Sequence, residues 1–203
     1  MPDHTSSKSP RPPHPELVLA SASAYRQQLL ARLGVAFVVD PADIDEQRQP
    51  GEGAVDLAQR LAEEKSAVVQ RRYPQAIVIG SDQVAECNGA ILGKPGTLAA
   101  ARQQLTQSSG QCLAFYTAVC VRQGDTVLSS LDATLVHMRS LSADEIDRYL
   151  ALEAPLDCAG AIKSEGAGIT LMAGMETSDP TALIGLPLIS LAEQLRRCGL
   201  TLP

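Results

Sequence analysis

Three short apolar runs, LVLAS at 17–21, AFVVD at 36–40 and AIVIG at 76–80, are long enough for strands and too short for helices. The stretches between them carry helical spacing instead. Residues 25–33 do so and stop at Gly34, which suits the left-handed position after a helix end. Residues 54–73 form a longer amphipathic pattern, with Leu57, Leu61, Val68 and Val69 on one side, that ends before Pro74. Strands that alternate with helices bury their apolar faces as a sheet covered by helices, so the chain reads as α/β.

Beyond residue 80 the pattern changes. Residues 84–92 read as a hairpin about Asn88-Gly89, a pair that accepts the positive φ angles of a tight turn. Thr97 caps a helix to about 107, which Ser108-Ser109-Gly110 breaks. Residues 112–122 and 126–139 alternate like an antiparallel pair joined at Gly124-Asp125. Ser142 to Glu145 is a capping box that opens a helix to about 152, and 187–198 is a helix with Pro187 in its first turn and Gly199 as its stop. The expectation is a mixed twisted sheet with flanking helices. Neither repeats nor a linker interrupt it, so residues 17–203 make one domain, drawn as two lobes.

Composition narrows the function classes. The net charge is −6 and no basic block exceeds Arg71-Arg72, which argues against broad electrostatic binding to nucleic acid. No apolar run is long enough to span a bilayer. The five cysteines are odd in number, spread out and without a C-x-x-C pair, so reduced thiols in a cytoplasmic protein are expected rather than a disulfide framework or a zinc site. His4, His14 and His137 form no ligand cluster. The opening MPDHTSSKSPRPPHPE, residues 1–16, is proline-rich and polar, and it reads as a disordered leader rather than a signal peptide.

Polar clusters at the ends of elements carry the candidate chemistry. In LASASAYR, a strand turns through Ser21 and Ser23 into a helix that begins at Tyr25-Arg26. Exposed amides, hydroxyls and a guanidinium suit a phosphate chain, although plain capping by Ser23 explains the same residues. Asp45-Glu46 could meet Mg²⁺ through oxygen, or simply form a solvated acidic loop. Glu63-Glu64-Lys65, taken alone, reads as an exposed charged face. In IVIGSDQV, Asp82 closes an apolar strand; a carboxylate there needs a partner, and Lys94 in the following GKP could supply one, as a structural ion pair or as part of a site. Lys163 and Glu165 sit in KSEGAGI, among glycines that permit close approach of a ligand or make tight turns.

In order and spacing, LASASAYR, DE at 45–46, EK at 64–65, GSDQV, GKP and KSEGAGI resemble the Maf-like nucleotide pyrophosphatases, over nearly the whole chain from about 17 to 200. Gln83 after the Asp, the CAG…KSEG run and FYT at 115–117 resemble the 7-methyl-GTP branch; the dTTP/UTP branch carries Thr after the Asp and Arg in place of Tyr25. The resemblance implies hydrolysis of a nucleoside triphosphate, 7-methyl-GTP above all, to the monophosphate and diphosphate, in a deep cleft between two lobes. It implies a divalent cation, Mg²⁺ or Mn²⁺, with Glu46 and Asp82 as its ligands. Asp82 matches the proton acceptor, and Arg26, Glu46, Lys65 and Lys94 match the other polar active-site positions, with Ser21, Ser23, Arg26 and Lys163 disposed to hold phosphate. Tyr25, Gln83 and Glu165 match the positions that select the base: Tyr25 would stack on it, Glu165 would accept from its Watson–Crick edge, and Gln83 would donate to O6 and accept elsewhere. Relatives commonly form homodimers. The alternatives are turnover of dTTP, UTP or another modified nucleotide, or a non-catalytic nucleotide-binding role in cell division. Two positions depart from the family pattern: Ala24 stands where Pro is usual, and Gln27 where a second basic residue is common.

Overall fold

The computed structural model describes residues 16–202; the expected leader, apart from Glu16, and His4 and His14 lie outside them. Seven strands form one mixed sheet: β1 (Leu17–Leu19), β2 (Val38–Val39), β3 (Ile77–Cys87), β4 (Ala90–Leu92), β5 (Cys112–Gln123), β6 (Thr126–Met138) and β7 (Met172–Glu176). Their order is β2-β1-β3-β5-β6-β7, with β4 also on β3. β1 is parallel to β2 and to β3, and every later pairing is antiparallel. The helices are α1 (Ala24–Ala31), α2 (Ala54–Arg72), α3 (Leu98–Ser108), α4 (Ala143–Glu153) and α5 (Leu188–Arg197).

Strand alternation sorts the core. Odd positions Ile77, Ile79, Val119 and Val121 join Leu17 and Leu19 under α1 and α5, whereas Val78, Ala118 and Cys120 face α2. A separate apolar cluster at the far ends of β3, β5 and β6, with Ala85, Leu113 and Phe115, packs α3 and α4. These two ends are the two lobes anticipated from the sequence. The caps fall where expected: Ser23 accepts from Arg26 N, Thr97 from Ala100 N, and Ser142 and Glu145 form the reciprocal capping box.

Two differences from the sequence reading matter for function. The third strand does not end at Gly80. It runs through the polar residues to Cys87 and turns at Asn88-Gly89 into β4, because β5 pairs with every residue from Val78 to Cys87. Segment 177–187, which carries no apolar periodicity, folds as a compact loop against the sheet and is held by the buried Asp179. One Asp179 oxygen accepts from the Thr181 amide and hydroxyl at 2.8 and 2.6 Å, and the other from Ile189 N at 2.7 Å.

Candidate active site

β1 last pairs with β3 at Leu19–Ile79, and β4 first pairs at Ala85–Leu92. Residues 81–84 therefore have β5 on one edge and an open gap on the other. Neighbouring strand residues point to opposite faces, and at this gap both faces open into one cleft of about 900 Å³. Ser21, Tyr25, Arg26, Glu46, Lys65, Asp82, Gln83, Lys94, Asp157, Cys158 and Glu165 line it, from both lobes. That volume is in the range of small-molecule sites.

On the α2 face, Asp82 meets Lys65. The expected pairing of Asp82 with Lys94 does not form; Lys65 Nζ lies 2.6 Å from Asp82 Oδ1 and 2.7 Å from Glu46 Oε1. Nor is Lys65 part of an exposed charged face. It follows Leu57 and Leu61 at helical i+4 spacing, so it shares their inward stripe and is 6% exposed. Burial works to raise the Glu46 pKa, but the Lys65 hydrogen bond and charge, with Lys94 and Arg26 further off, outweigh it and hold the carboxyl below its usual value. Lys94 is exposed at the mouth of the cleft.

Arg26 projects from the first turn of α1. Its Nε donates to Gly185 O at 2.9 Å and its Nη1 to Ser21 Oγ at 3.4 Å, so both the 177–187 loop and the strand end fix its plane. Burial lowers its pKa, and the charges of Asp82 and Glu46 push back. Ser21 Oγ also accepts from Ser23 N, while Ser23 caps α1, so both serines organise the turn as well as lining the cleft.

Lys163 is the exception among the expected phosphate ligands. It does not line the cleft: its ammonium lies 3.1 Å from Glu153 Oε2, and Glu153 Oε1 accepts from Ala167 N at 2.6 Å. These bonds fold the glycine-rich KSEGAGI turn back onto α4. Lys163→Met is accordingly expected to leave KM for a triphosphate within about twofold and to lower Tm only slightly, since a partly solvated ion pair contributes little. Steady-state kinetics and thermal melting check both.

At the other end of the cleft stand Tyr25, Cys158, Asp157 and Glu165. Cys158 Sγ is 3.9 Å from the Tyr25 hydroxyl and 3.6 Å from Asp157 Oδ1. Burial, reinforced by contact with Cys158 and by the Asp157 and Glu165 carboxylates, raises the Tyr25 pKa, so its ring remains neutral. Burial and then Asp157 push the Cys158 thiol up to about 11. Because the thiolate is the reactive form, iodoacetamide labelling of Cys158 is expected to be slow at pH 8 and to rise until the pH passes about 11. Labelling at pH 8 as fast as a free cysteine would refute that environment.

Gln83 lies on the opposite face from Asp82. Its Nε2 donates toward Thr117 Oγ1, Ala182 O and Leu183 O, at 3.0, 2.9 and 3.0 Å. The expectation that its amide nitrogen donates to the base is thereby corrected, since those protons are engaged by the protein. Thr117, Asp157, Cys158 and the 182–185 carbonyls were not assigned roles from sequence. No sequence signal singled out the 182–185 segment, because backbone carbonyls carry no residue signature.

A divalent cation is tested by the same geometry. Among the described residues no group of three or more His, Cys, Asp and Glu could hold a metal. Glu46 and Asp82 each spend one oxygen on Lys65, which leaves the second of each for a cation. Such a two-carboxylate set fits Mg²⁺, which completes its octahedron with substrate phosphates and water rather than within an all-protein cage.

A mixed sheet with a polar cleft at a break in strand pairing, charged at one end and aromatic-acidic at the other, defines an α/β protein with a small-molecule cleft. The Maf-like protein family model matches residues 16–198, and the chain belongs to that family. It is 53% identical over 189 residues to the 7-methyl-GTP pyrophosphatase of Xanthomonas oryzae pv. oryzae (strain MAFF 311018), covering 93% of this chain and 100% of that one. It is 52% identical over 191 residues to the 7-methyl-GTP pyrophosphatase of Aromatoleum aromaticum, covering 93% and 98%. Among solved structures, the Ham1 protein of Staphylococcus aureus shares the fold, with a TM-score of 0.53 at 14% identity over 89% of this chain and 99% of that one. No helix among the described residues is long and apolar enough to cross a membrane.

Proposed function

We propose that this protein hydrolyses the α–β phosphate linkage of 7-methyl-GTP, releasing 7-methyl-GMP and diphosphate, and so clears a modified nucleotide from the cytoplasmic pool. The observation that carries the chemistry is the Glu46–Lys65–Asp82 chain beside Arg26 and Lys94. The names of the relatives carry the substrate.

In this reading the triphosphate lies at the α2 end of the cleft. Arg26 and Lys94 neutralise its oxygens, and Lys94, unpaired among the described residues, is free to follow the charge onto the departing diphosphate. Asp82 orients a water in line with the α-phosphorus and takes its proton, with Lys65 fixing the carboxylate. Mg²⁺ or Mn²⁺, held by Glu46 and Asp82, would supply further neutralisation of the phosphate oxygens when bound. Positioning and electrostatics dominate phosphoryl transfer, and this cleft holds no activated nucleophile: its one cysteine is kept as a thiol.

N7-methylation makes guanine cationic. The neutral Tyr25 ring can stack on it, worth about 0.5–2 kcal/mol. Glu165 and Asp157 give this end of the cleft the complementary charge. The test is turnover of a triphosphate panel by the full chain with Mg²⁺ or Mn²⁺, read as monophosphate and diphosphate by chromatography. The highest kcat/KM is expected for 7-methyl-GTP. A preference for dTTP or UTP overturns the substrate, and no turnover of any nucleotide overturns the enzyme.

A further inference from the structure

Along the sheet face that carries Gln83, two apolar clusters are separated by a polar band: Ser81, Gln83 and Thr117. Ser81 and Thr117 are fully buried. All three side chains donate to carbonyls of the 177–187 loop. Ser81 Oγ donates to Gly185 O at 3.2 Å, and Thr117 Oγ1 donates to Ala182 O at 2.9 Å. A hydroxyl has a single proton. Thr117 has therefore committed its proton to Ala182, and toward Gln83 it can only accept.

The Gln83 amide group thus faces three acceptors at once: the Thr117 hydroxyl oxygen and the carbonyls of Ala182 and Leu183. Turning the amide over would set its oxygen against two carbonyl oxygens and a hydroxyl with no proton to give. One orientation alone is satisfied, and in it both amide protons are engaged. Gln83 Oε1 accepts nothing from the described residues and is not sealed in the interior. Asp179, with each carboxylate oxygen bonded, fixes the loop that supplies the carbonyls.

We infer that Thr117 and the Ala182 and Leu183 carbonyls lock Gln83 as a pure hydrogen-bond acceptor toward the cleft, so that Gln83 selects bases that present an N–H donor and Thr117 is the positioning residue for that selection. The inference rests on the reading of Gln83 as a base contact. Glu165 and Asp157, which line the same cleft, add carboxylate acceptors, so the base is read largely by the donors it brings. For 7-methyl-guanine these are N1–H and the 2-amino group. A pocket built to accept from an N–H discriminates strongly against an analogue without it, because its own polar group is left unpaired.

The test compares kcat/KM for 7-methyl-GTP and for 7-methyl-inosine triphosphate, which lacks the 2-amino group, in the full chain with Mg²⁺. Wild type is expected to favour 7-methyl-GTP about tenfold or more, one hydrogen bond's worth. Gln83→Ala is expected to bring that ratio close to the value set by Glu165 alone, several-fold lower. Thr117→Val, nearly isosteric, is expected to lower the ratio at least threefold, and Thr117→Ser to restore it. A merely structural role for Thr117 would slow both substrates alike and leave the ratio intact, and that outcome overturns the lock. If Gln83→Ala keeps the wild-type ratio, Gln83 does not accept from the 2-amino group, and the inference that it selects the base by that donor fails. A collapse in Gln83→Ala with none in a folded Thr117→Val and Thr117→Ser pair removes Thr117 alone. Melting curves confirm that each variant is folded.

Discussion

Asp82→Asn is expected to lower kcat/KM for 7-methyl-GTP by about 10²–10⁴-fold, the usual contribution of a positioned general base. The substitution is isosteric, and an amide oxygen can still accept from Lys65 Nζ, which keeps Glu46 as its second partner. What is lost is the negative charge and the capacity to take a proton. Weakening one charge-assisted hydrogen bond to a neutral one costs about 1–2 kcal/mol, or about 2–8 °C of Tm for a chain of this size. The prediction is therefore asymmetric: chemistry collapses while the fold persists. Melting and steady-state kinetics on the same preparation read the two together. A folded Asp82→Asn protein with wild-type turnover would remove Asp82 as the base.

Lys65 shows how much of this site was legible in the sequence. Its place in the family motif marked it as important, yet its neighbours Glu63 and Glu64 made the segment look like a solvated face. Spacing from Leu57 and Leu61 puts it on the buried stripe, and a buried ammonium needs anions; the helix could not say which. Asp82 and Glu46 lie 17 residues ahead and 19 behind, and only the gap between β1 and β4 brings them to one nitrogen. Lys163 fails for the opposite reason. Its motif is in place, but Glu153 on α4 takes the charge before any phosphate could. Strands β1, β2, β5 and β6, the caps and the hairpin turn were readable because their signals are local: periodicity, Asn88-Gly89, the Ser142–Glu145 box. The 177–187 loop was not. It contributes carbonyls, which every residue has, and its anchor Asp179 sits in no motif or periodic pattern.

Gly80 ties that packing to catalysis. A Cβ there would lie 2.1 Å from Ala62 O and 2.7 Å from Ser66 N, both backbone atoms of α2 that cannot rotate aside. Gly80→Ala must therefore push the whole helix off β3. Overpacking of this kind costs about 1–3 kcal/mol, and with backbone on the receiving side the upper end is expected, a Tm loss of about 6–12 °C. Lys65 stands between Ala62 and Ser66, so any displacement of α2 draws its ammonium away from Asp82 and Glu46 together. Misplacement of catalytic groups by about 1 Å can cost about 10²-fold in rate, and that loss is expected in the fraction that remains folded. Gly93→Ala is the control for stability, since a Cβ there meets nothing within 4 Å. If Gly80→Ala melts with wild type and Gly93→Ala, α2 yields without strain. Its close seat on β3 would then not be what holds Lys65 against Asp82.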